Sequence, residues 1–155
     1  MRGDDRMKKD VLLETAKLLL EEQPNELAIL SNASAFINDT IDNLNWAGFY
    51  LWDGKQLTVG PFQGKVACST IALGKGVCGE AALKKQTLVI DDVLSHSNHI
   101  ACDANSRSEI VVPIFIKGRL YGVLDVDAPV INRFDQDLVV FFEEFVQLLV
   151  KVIDK

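Results

Sequence analysis

The sequence predicts an α+β domain, with a central, mainly antiparallel sheet flanked by N- and C-terminal helices. Three observations predict it. Apolar residues recur at helical spacing near both ends of the chain, and the middle holds short aromatic and β-branched runs. Two turn pairs, Asp53-Gly54 and Lys117-Gly118, join such runs into hairpins. The chain has 155 residues, 48% of them apolar. A single domain of this size buries about 70% of the surface its unfolded form exposes, so a core can hold it without disulfides or metal.

Residues 1–7 read as a disordered or vector-derived tail, and 8–155 as one domain without internal repeats or a Pro/Gly/Ser linker. From Lys8 to Glu22, the residues Val11, Leu12, Ala16, Leu19 and Leu20 fit a helical period. After Pro24, a second helix is expected over 25–43, with Leu27, Leu30, Ala33, Ile37 and Ile41 as its buried stripe. Trp46 to Trp52 reads as a strand, Gln56 to Val59 as its return, and Val66 to Ile71 as a third strand. Gly74 and Gly76 break the chain before a short helix over 77–84, and Thr87 to Ile90 is a further strand. The polar stretch 91–108 is long enough to expect a functional loop. Strands over 109–116 and 119–126 follow. Phe134 to Val152 closes the chain as an amphipathic helix, with Asp135 at its start and lysine at its end suiting the helix dipole.

Sixteen Lys and Arg stand against twenty-two Asp and Glu, a formal net charge of −6. Phosphate backbones and anionic lipid surfaces both want clustered positive charge, so nucleic acid and membrane are excluded as main partners. No apolar run is long enough for a membrane span, and MRGDDRMKKD has no signal-like apolar stretch, so a cytoplasmic location is expected. Three cysteines are too few, and odd in number, for a disulfide framework. They are either small packed residues or chemistry.

Alternation along Val123-Leu124-Asp125-Val126-Asp127 puts both aspartates on one face of a strand, away from Leu124 and Val126. Asp is depleted in strands, so a pair of them points to a pocket holding a cation or a proton. Counted outward from the Lys117-Gly118 turn, Glu109 lies near Asp127 and can join the pair. In the polar loop, His96, His99 and Cys102 fall at intervals of three. No second cysteine stands near enough for the tight ligand pair typical of zinc sites, and no metal is expected. Cys102 reads either as packed or as a thiol whose thiolate reacts. Cys78 falls where a helix should begin and reads as packed, while Cys68 belongs to core or cleft. Trp46 and Tyr50 point the same way from their strand, as core or as one wall of a pocket. No nucleotide phosphate loop or G-x-S-x-G elbow occurs.

Several segments, in this order, resemble the free methionine-(R)-sulfoxide reductases, which are GAF-domain enzymes. They are Asn45-Trp46-Ala47-Gly48-Phe49-Tyr50, Gly60-Pro61-Phe62-Gln63-Gly64, Gly74-Lys75-Gly76-Val77-Cys78-Gly79, His99-Ile100-Ala101-Cys102-Asp103, Ser108-Glu109-Ile110-Val111-Val112-Pro113 and Gly122-Val123-Leu124-Asp125-Val126-Asp127. The resemblance covers about residues 25–152 and implies a GAF fold. It also implies reduction of free L-methionine-(R)-sulfoxide to methionine without a bound cofactor, with electrons from thioredoxin. Cys102 is similar to the family's nucleophile, which attacks the sulfoxide sulfur and is left as a sulfenic acid. Cys68 resembles the resolving thiol that condenses with it to a disulfide, and Cys78 is the second candidate for that role. Glu109, Asp125 and Asp127 correspond to the substrate-binding acids, one for the ammonium and one held protonated toward the sulfoxide oxygen. Trp46 and Tyr50 resemble the wall that receives the S-methyl group. Backbone N–H groups of Ile100, Ala101 and Cys102 are expected at the substrate carboxylate. Asn98 departs from the family's loop, where glycine is expected, and should stiffen it. The rival expectation is a non-catalytic GAF module binding a small molecule such as a cyclic nucleotide. A homodimer through the stripes of the terminal helices is a further expectation.

Overall fold

The computed structural model describes residues 3–100, 102 and 104–155, with side chains from Lys8 onward. Helices α1 (Gly3–Glu21) and α2 (Glu26–Thr40) precede strands β1 (Trp46–Trp52), β2 (Leu57–Gly64) and β3 (Thr70–Ile71). Helix α3 (Gly76–Lys84), strand β4 (Leu88–Ile90) and a single 3₁₀ turn (Val93–Ser95) follow. Strands β5 (Ser108–Ile116) and β6 (Arg119–Ala128) and helix α4 (Gln136–Ile153) complete the chain. The six strands form one sheet in the order β3-β2-β1-β6-β5-β4, and every pairing is antiparallel. No described helix is long and apolar enough to cross a membrane.

The two faces of the sheet bury different things. On one, Phe49, Ile110, Val112, Leu124 and Val126 meet Leu20 of α1, Ile37 of α2 and the phenylalanines of α4. On the other, Trp46, Tyr50, Val111 and Val123 meet Val77, Cys78 and Ala81 of α3. Three helices thus cover one face, and the second is left to a short helix and loops, which is where space for a ligand remains. The α4 face is the largest apolar contribution: Asp135 caps the helix by accepting from the Leu138 N–H at 2.9 Å, and Phe141, Phe142 and Phe145 pack edge-on or tilted behind it. Phe142→Ala should cost about 3–5 kcal/mol, read as a lower urea midpoint at unchanged slope.

The main departures from the sequence reading fall in α1, α2, β2 and β3. Helix α1 begins at Gly3 rather than near Lys8. In α2 the buried face runs through Ile29, Leu30, Ala33, Ser34 and Ile37, while Leu27 is 67% exposed. Leu27 falls in the first turn, which extends past the edge of the sheet-facing stripe. Strand β2 runs on to Gly64 beyond the expected Val59. The expected strand over 66–71 shrinks to Thr70–Ile71, and Val66 is 89% exposed. Side chains of β1 take up backbone groups of that segment: Trp46 Nε1 donates to the Lys65 carbonyl at 3.2 Å, and Tyr50 Oη to the Cys68 carbonyl at 3.1 Å. Residues 65–68 are therefore a strap across the mouth of the second face, and the chain rejoins the sheet at β3.

Register decides where the acids go. Next to the Lys117-Gly118 turn, Ile116 pairs with Arg119 and Phe115 with Leu120, but Ile114 pairs with Gly122, so Tyr121 is an extra residue in β6. Beyond this bulge Glu109 stands opposite Asp127 and Val111 opposite Asp125. An unbroken hairpin would place Glu109 opposite Val126, on the helix-covered face, because a one-residue shift exchanges the two faces. Tyr121 is held from behind by its hydroxyl, which donates to Glu26 of α2.

Candidate active site

The second face of the sheet carries a small, largely enclosed cavity. Trp46 and Tyr50 of β1, Val77 and Cys78 of α3, Glu109 of β5 and Asp125 and Asp127 of β6 line it, and His99, Ile100 and Cys102 close it from the 91–108 loop. Each of these residues except Val77 and His99 is a candidate from the sequence, and the fold brings them to one place. Ala101 lies outside the described residues. Cys68 is joined to Cys102 as a disulfide across 34 residues of sequence, with the two Cα atoms 5.4 Å apart. Cys78 is the free cysteine among the described residues and is only 3% exposed.

The strap that carries Cys68 is held by the aromatic wall. Trp46 stacks on Phe62 at 4.9 Å and on Tyr50 at 5.7 Å between ring centroids, and both Trp46 and Tyr50 donate hydrogen bonds to strap carbonyls. Burial, with Asp125 next in weight, pushes the Tyr50 phenol far up, so it stays a donor to the Cys68 carbonyl at any working pH. The Cys102 N–H, expected at a substrate carboxylate, donates instead to the Ile100 carbonyl at 2.9 Å in this disulfide form.

Glu109, Asp125 and Asp127 are all buried, and all three carboxyls sit above the ordinary carboxylate range. Burial is the largest cause for each. For Glu109 the charges of Asp125 and Asp127 add to it, and every neighbour pushes upward. Asp127 is also raised by Asp125 but is eased by hydrogen bonds from Glu109 and Ser106. Asp125 is the one its neighbours favour as an anion, through hydrogen bonds from Glu109, Cys78 and Asp127. Three carboxylates this close cannot all ionise, so Asp125 takes the charge first and Glu109 keeps its proton longest. Among the described residues, one oxygen of Asp125 and one of Asp127 (Oδ1 in each) are buried without a hydrogen-bond partner. Buried acceptors in that condition are costly, and a cationic donor entering the cavity would satisfy both.

Cys78 faces the same acids: its Sγ and the nearest oxygens of Glu109 and Asp125 lie within 4.8 Å of one another. Burial, then the charge of Asp125, pushes its thiol well up, so it remains neutral. Two residues were not singled out for this cavity in the sequence. Ser106 accepts from Asn45 Nδ2 at 3.0 Å and bonds Asp127, and a serine in a polar loop gives no signal of such a role. His99 lines the cavity with Nδ1 buried and unpartnered among the described residues, and burial, then His96, holds its imidazole below the ordinary value. Its spacing to Cys102 was legible, but as a metal pattern.

The lining therefore combines a stacked aromatic wall, a cluster of acids short of one cation, and a cysteine pair able to be oxidised and reduced. Among the described residues it contains neither Lys nor Arg. The GAF domain model matches residues 25–153. The free methionine-R-sulfoxide reductase of Escherichia coli is 48% identical over 120 residues, spanning 77% of this chain and 73% of that protein. The free methionine-R-sulfoxide reductase of Neisseria meningitidis, solved in complex with its substrate, superposes with a TM-score of 0.93 at 36% identity, covering 99% of this chain and 93% of that one. The fRMsr of Staphylococcus aureus in its reduced form gives a TM-score of 0.90 at 48% identity, covering 94% of each chain. With this fold, these motifs and this extent of likeness, the chain belongs to the GAF domain family and, within it, to the free methionine-R-sulfoxide reductases.

Proposed function

We propose that this chain reduces free L-methionine-(R)-sulfoxide to L-methionine, using Cys102 as nucleophile and Cys68 as resolving thiol. The observation that carries the reading is the Cys68–Cys102 disulfide beside a cavity whose buried acids lack a cationic partner. In the reduced enzyme the Cys102 thiolate attacks the sulfoxide sulfur. The oxygen passes to the cysteine as a sulfenic acid, and methionine leaves with its sulfur reduced by two electrons. The Cys68 thiol then attacks the sulfenic sulfur, expelling water and closing the disulfide. An external dithiol of the thioredoxin type restores both thiols by exchange. Cys78 takes no part in this exchange, because a thiol kept neutral by burial and acids is a poor nucleophile.

The acids divide the work on the substrate. Asp125, with Asp127, receives the ammonium group, and Glu109 donates its retained proton to the sulfoxide oxygen, which must be neutralised as the S–O bond breaks. Trp46 and Tyr50 accept the S-methyl end. A methionine sulfoxide within a polypeptide offers a neutral amide where the site wants an ammonium, which leaves the acids uncompensated and excludes it. The same acids disfavour a cyclic nucleotide, whose phosphate would face three carboxyls without a Lys or Arg among the described residues of the lining.

The test is methionine release from the separate R and S epimers of free methionine sulfoxide, and from the N-acetylated R epimer, with thioredoxin and its reductase or with dithiothreitol. Turnover is expected with the free R epimer only. Absence of turnover with it overturns the reductase reading, and equal turnover of the N-acetylated form overturns the role given to the acids.

A further inference from the structure

The loop that delivers Cys102 is irregular, so something other than backbone pairing within a sheet must fix where the thiol sits. The side chain of Asn98 supplies an anchor. Asn98 Oδ1 accepts from the Gly76 N–H at 3.2 Å, while Asn98 Nδ2 donates to the Gly74 carbonyl at 3.1 Å and the Gly76 carbonyl at 3.3 Å. One carboxamide thus uses both its ends on the turn that opens α3.

That turn is a firm anchor. The Gly74 N–H donates to the Gly79 carbonyl at 2.8 Å, and the Lys75 N–H to the Ala72 carbonyl at 3.0 Å. Gly76 has φ +61° and meets Ile100 so closely that a Cβ there would lie 2.9 Å from the Ile100 Cδ1. The loop is therefore seated on the turn by apolar contact at Ile100 as well as by the Asn98 bonds. Two residues before Asn98, His96 Nε2 and Glu80 Oε2 of α3 are 3.1 Å apart, and Glu80 also pairs with Lys84 at 3.3 Å. From Ile100 the chain turns tightly, with the Cys102 N–H on the Ile100 carbonyl, and reaches the cavity.

We propose that Asn98 is a positioning residue for the reaction: its carboxamide staples the Cys102 loop to the Gly74–Gly76 turn and so fixes the approach of the nucleophilic thiol to substrate and to Cys68. The inference rests on the reductase reading and deepens it. Asn98 is outside the cavity lining, so it acts on the reacting sulfur through the loop rather than by touching substrate, and the aromatic wall and the acids keep their places. Misplacing a reacting atom by about 1 Å can cost on the order of 10²-fold in rate. Loss of three partly exposed hydrogen bonds, with Ile100 still seated, should cost part of that.

The experiment compares wild type with Asn98→Ala and Asn98→Asp. It measures steady-state kinetics on free methionine-(R)-sulfoxide, the single-turnover rate of Cys68–Cys102 disulfide formation, and the melting temperature. Asn98→Ala should slow disulfide formation about tenfold and lower kcat with it, leaving KM within about twofold and the fold intact. Asn98→Asp keeps an acceptor for the Gly76 N–H but sets a carboxylate oxygen against the Gly74 and Gly76 carbonyls where the amide donated, and should be at least as slow as Ala. Wild-type rates for Asn98→Ala would overturn the proposal, as would an effect confined to KM or an Asp variant with wild-type rates. If wild type itself releases no methionine, the reductase reading fails. If wild type and Asn98→Ala turn over equally, only the positioning role does.

Discussion

Cys102→Ser is expected to abolish methionine release, lowering kcat/KM by more than about 10³-fold with either thioredoxin or dithiothreitol, while leaving the melting temperature of the reduced protein nearly unchanged. A serine hydroxyl at neutral pH offers no anion comparable to a thiolate and cannot accept the sulfoxide oxygen in a bond that a second thiol then reduces. The other two cysteines separate by the same logic. Cys68→Ser should still release one methionine per chain in a single turnover, leaving a sulfenic acid on Cys102 that dimedone traps. Turnover with thioredoxin should then collapse, because there is no disulfide to exchange. Cys78→Ser should leave the Cys68–Cys102 disulfide forming, since the structure pairs those two and buries Cys78 among acids. A Cys78→Ser protein that cannot form a disulfide, beside a Cys68→Ser protein that can, would reverse the assignment of the resolving thiol. Mass spectrometry of the substrate-oxidised proteins reads this directly.

Glu109→Gln is expected to move activity and stability in opposite directions. Glu109 is buried, and burial with Asp125 and Asp127 raises its carboxyl well above the ordinary range. A carboxyl whose folded pKa exceeds its unfolded one contributes stability that is fully present below the unfolded value, about pH 4, and is lost as pH rises through the folded value. Wild type should therefore lose melting temperature as pH rises from 5 toward 8. Glutamine has no proton to lose and should flatten that slope. At neutral pH the variant should be more stable by about 1–3 kcal/mol, measured by denaturant titration without substrate. Its amide can still hydrogen-bond but cannot hand a proton to the departing oxygen, so kcat should fall by about 10²-fold with KM changed much less. A variant as active as wild type would remove Glu109 from the proton-donating role. One that is less stable at pH 8 would show that the cluster is held together by charge rather than strained by it.

Much of the site was legible in the residues, for physical reasons that can be named. Period-two alternation put Asp125 and Asp127 on one face and Leu124 and Val126 on the other, and the sheet divides them in that way. The aspartates stood out because strands rarely hold them without a reason. Trp46 and Tyr50 followed from the same alternation. Illegible were the contacts that depend on what the chain meets far away in sequence. The strand expected at 66–71 has the right residues, but Trp46 and Tyr50 bond the Lys65 and Cys68 carbonyls and hold its first part as a strap, leaving Thr70–Ile71 to the sheet. Leu27 fits the helical period and still faces solvent, because the period shows a stripe but not where the covering surface ends. Asn98 was readable only as a departure that stiffens its loop, and its three bonds to the Gly74–Gly76 turn lie more than twenty residues away.

By itself the sequence determined the class of fold, the amphipathic helices at both ends, the two hairpins and the pairing of acids on one strand, because these follow from local periodicity and turn chemistry. Motif order also determined the family. The tertiary structure decided the rest. The extra residue at Tyr121 shifts the β5–β6 register so that Glu109 opposes Asp127 instead of Val126. Folding of the 91–108 loop onto α3 brings Cys102 to Cys68 rather than to Cys78. Burial then raises three ordinary carboxyls together, and the charge of Asp125 adds to it at Glu109 and Asp127. Register, long-range loop docking and desolvation are properties of how segments meet, and a pattern that repeats every two or four residues carries no record of them.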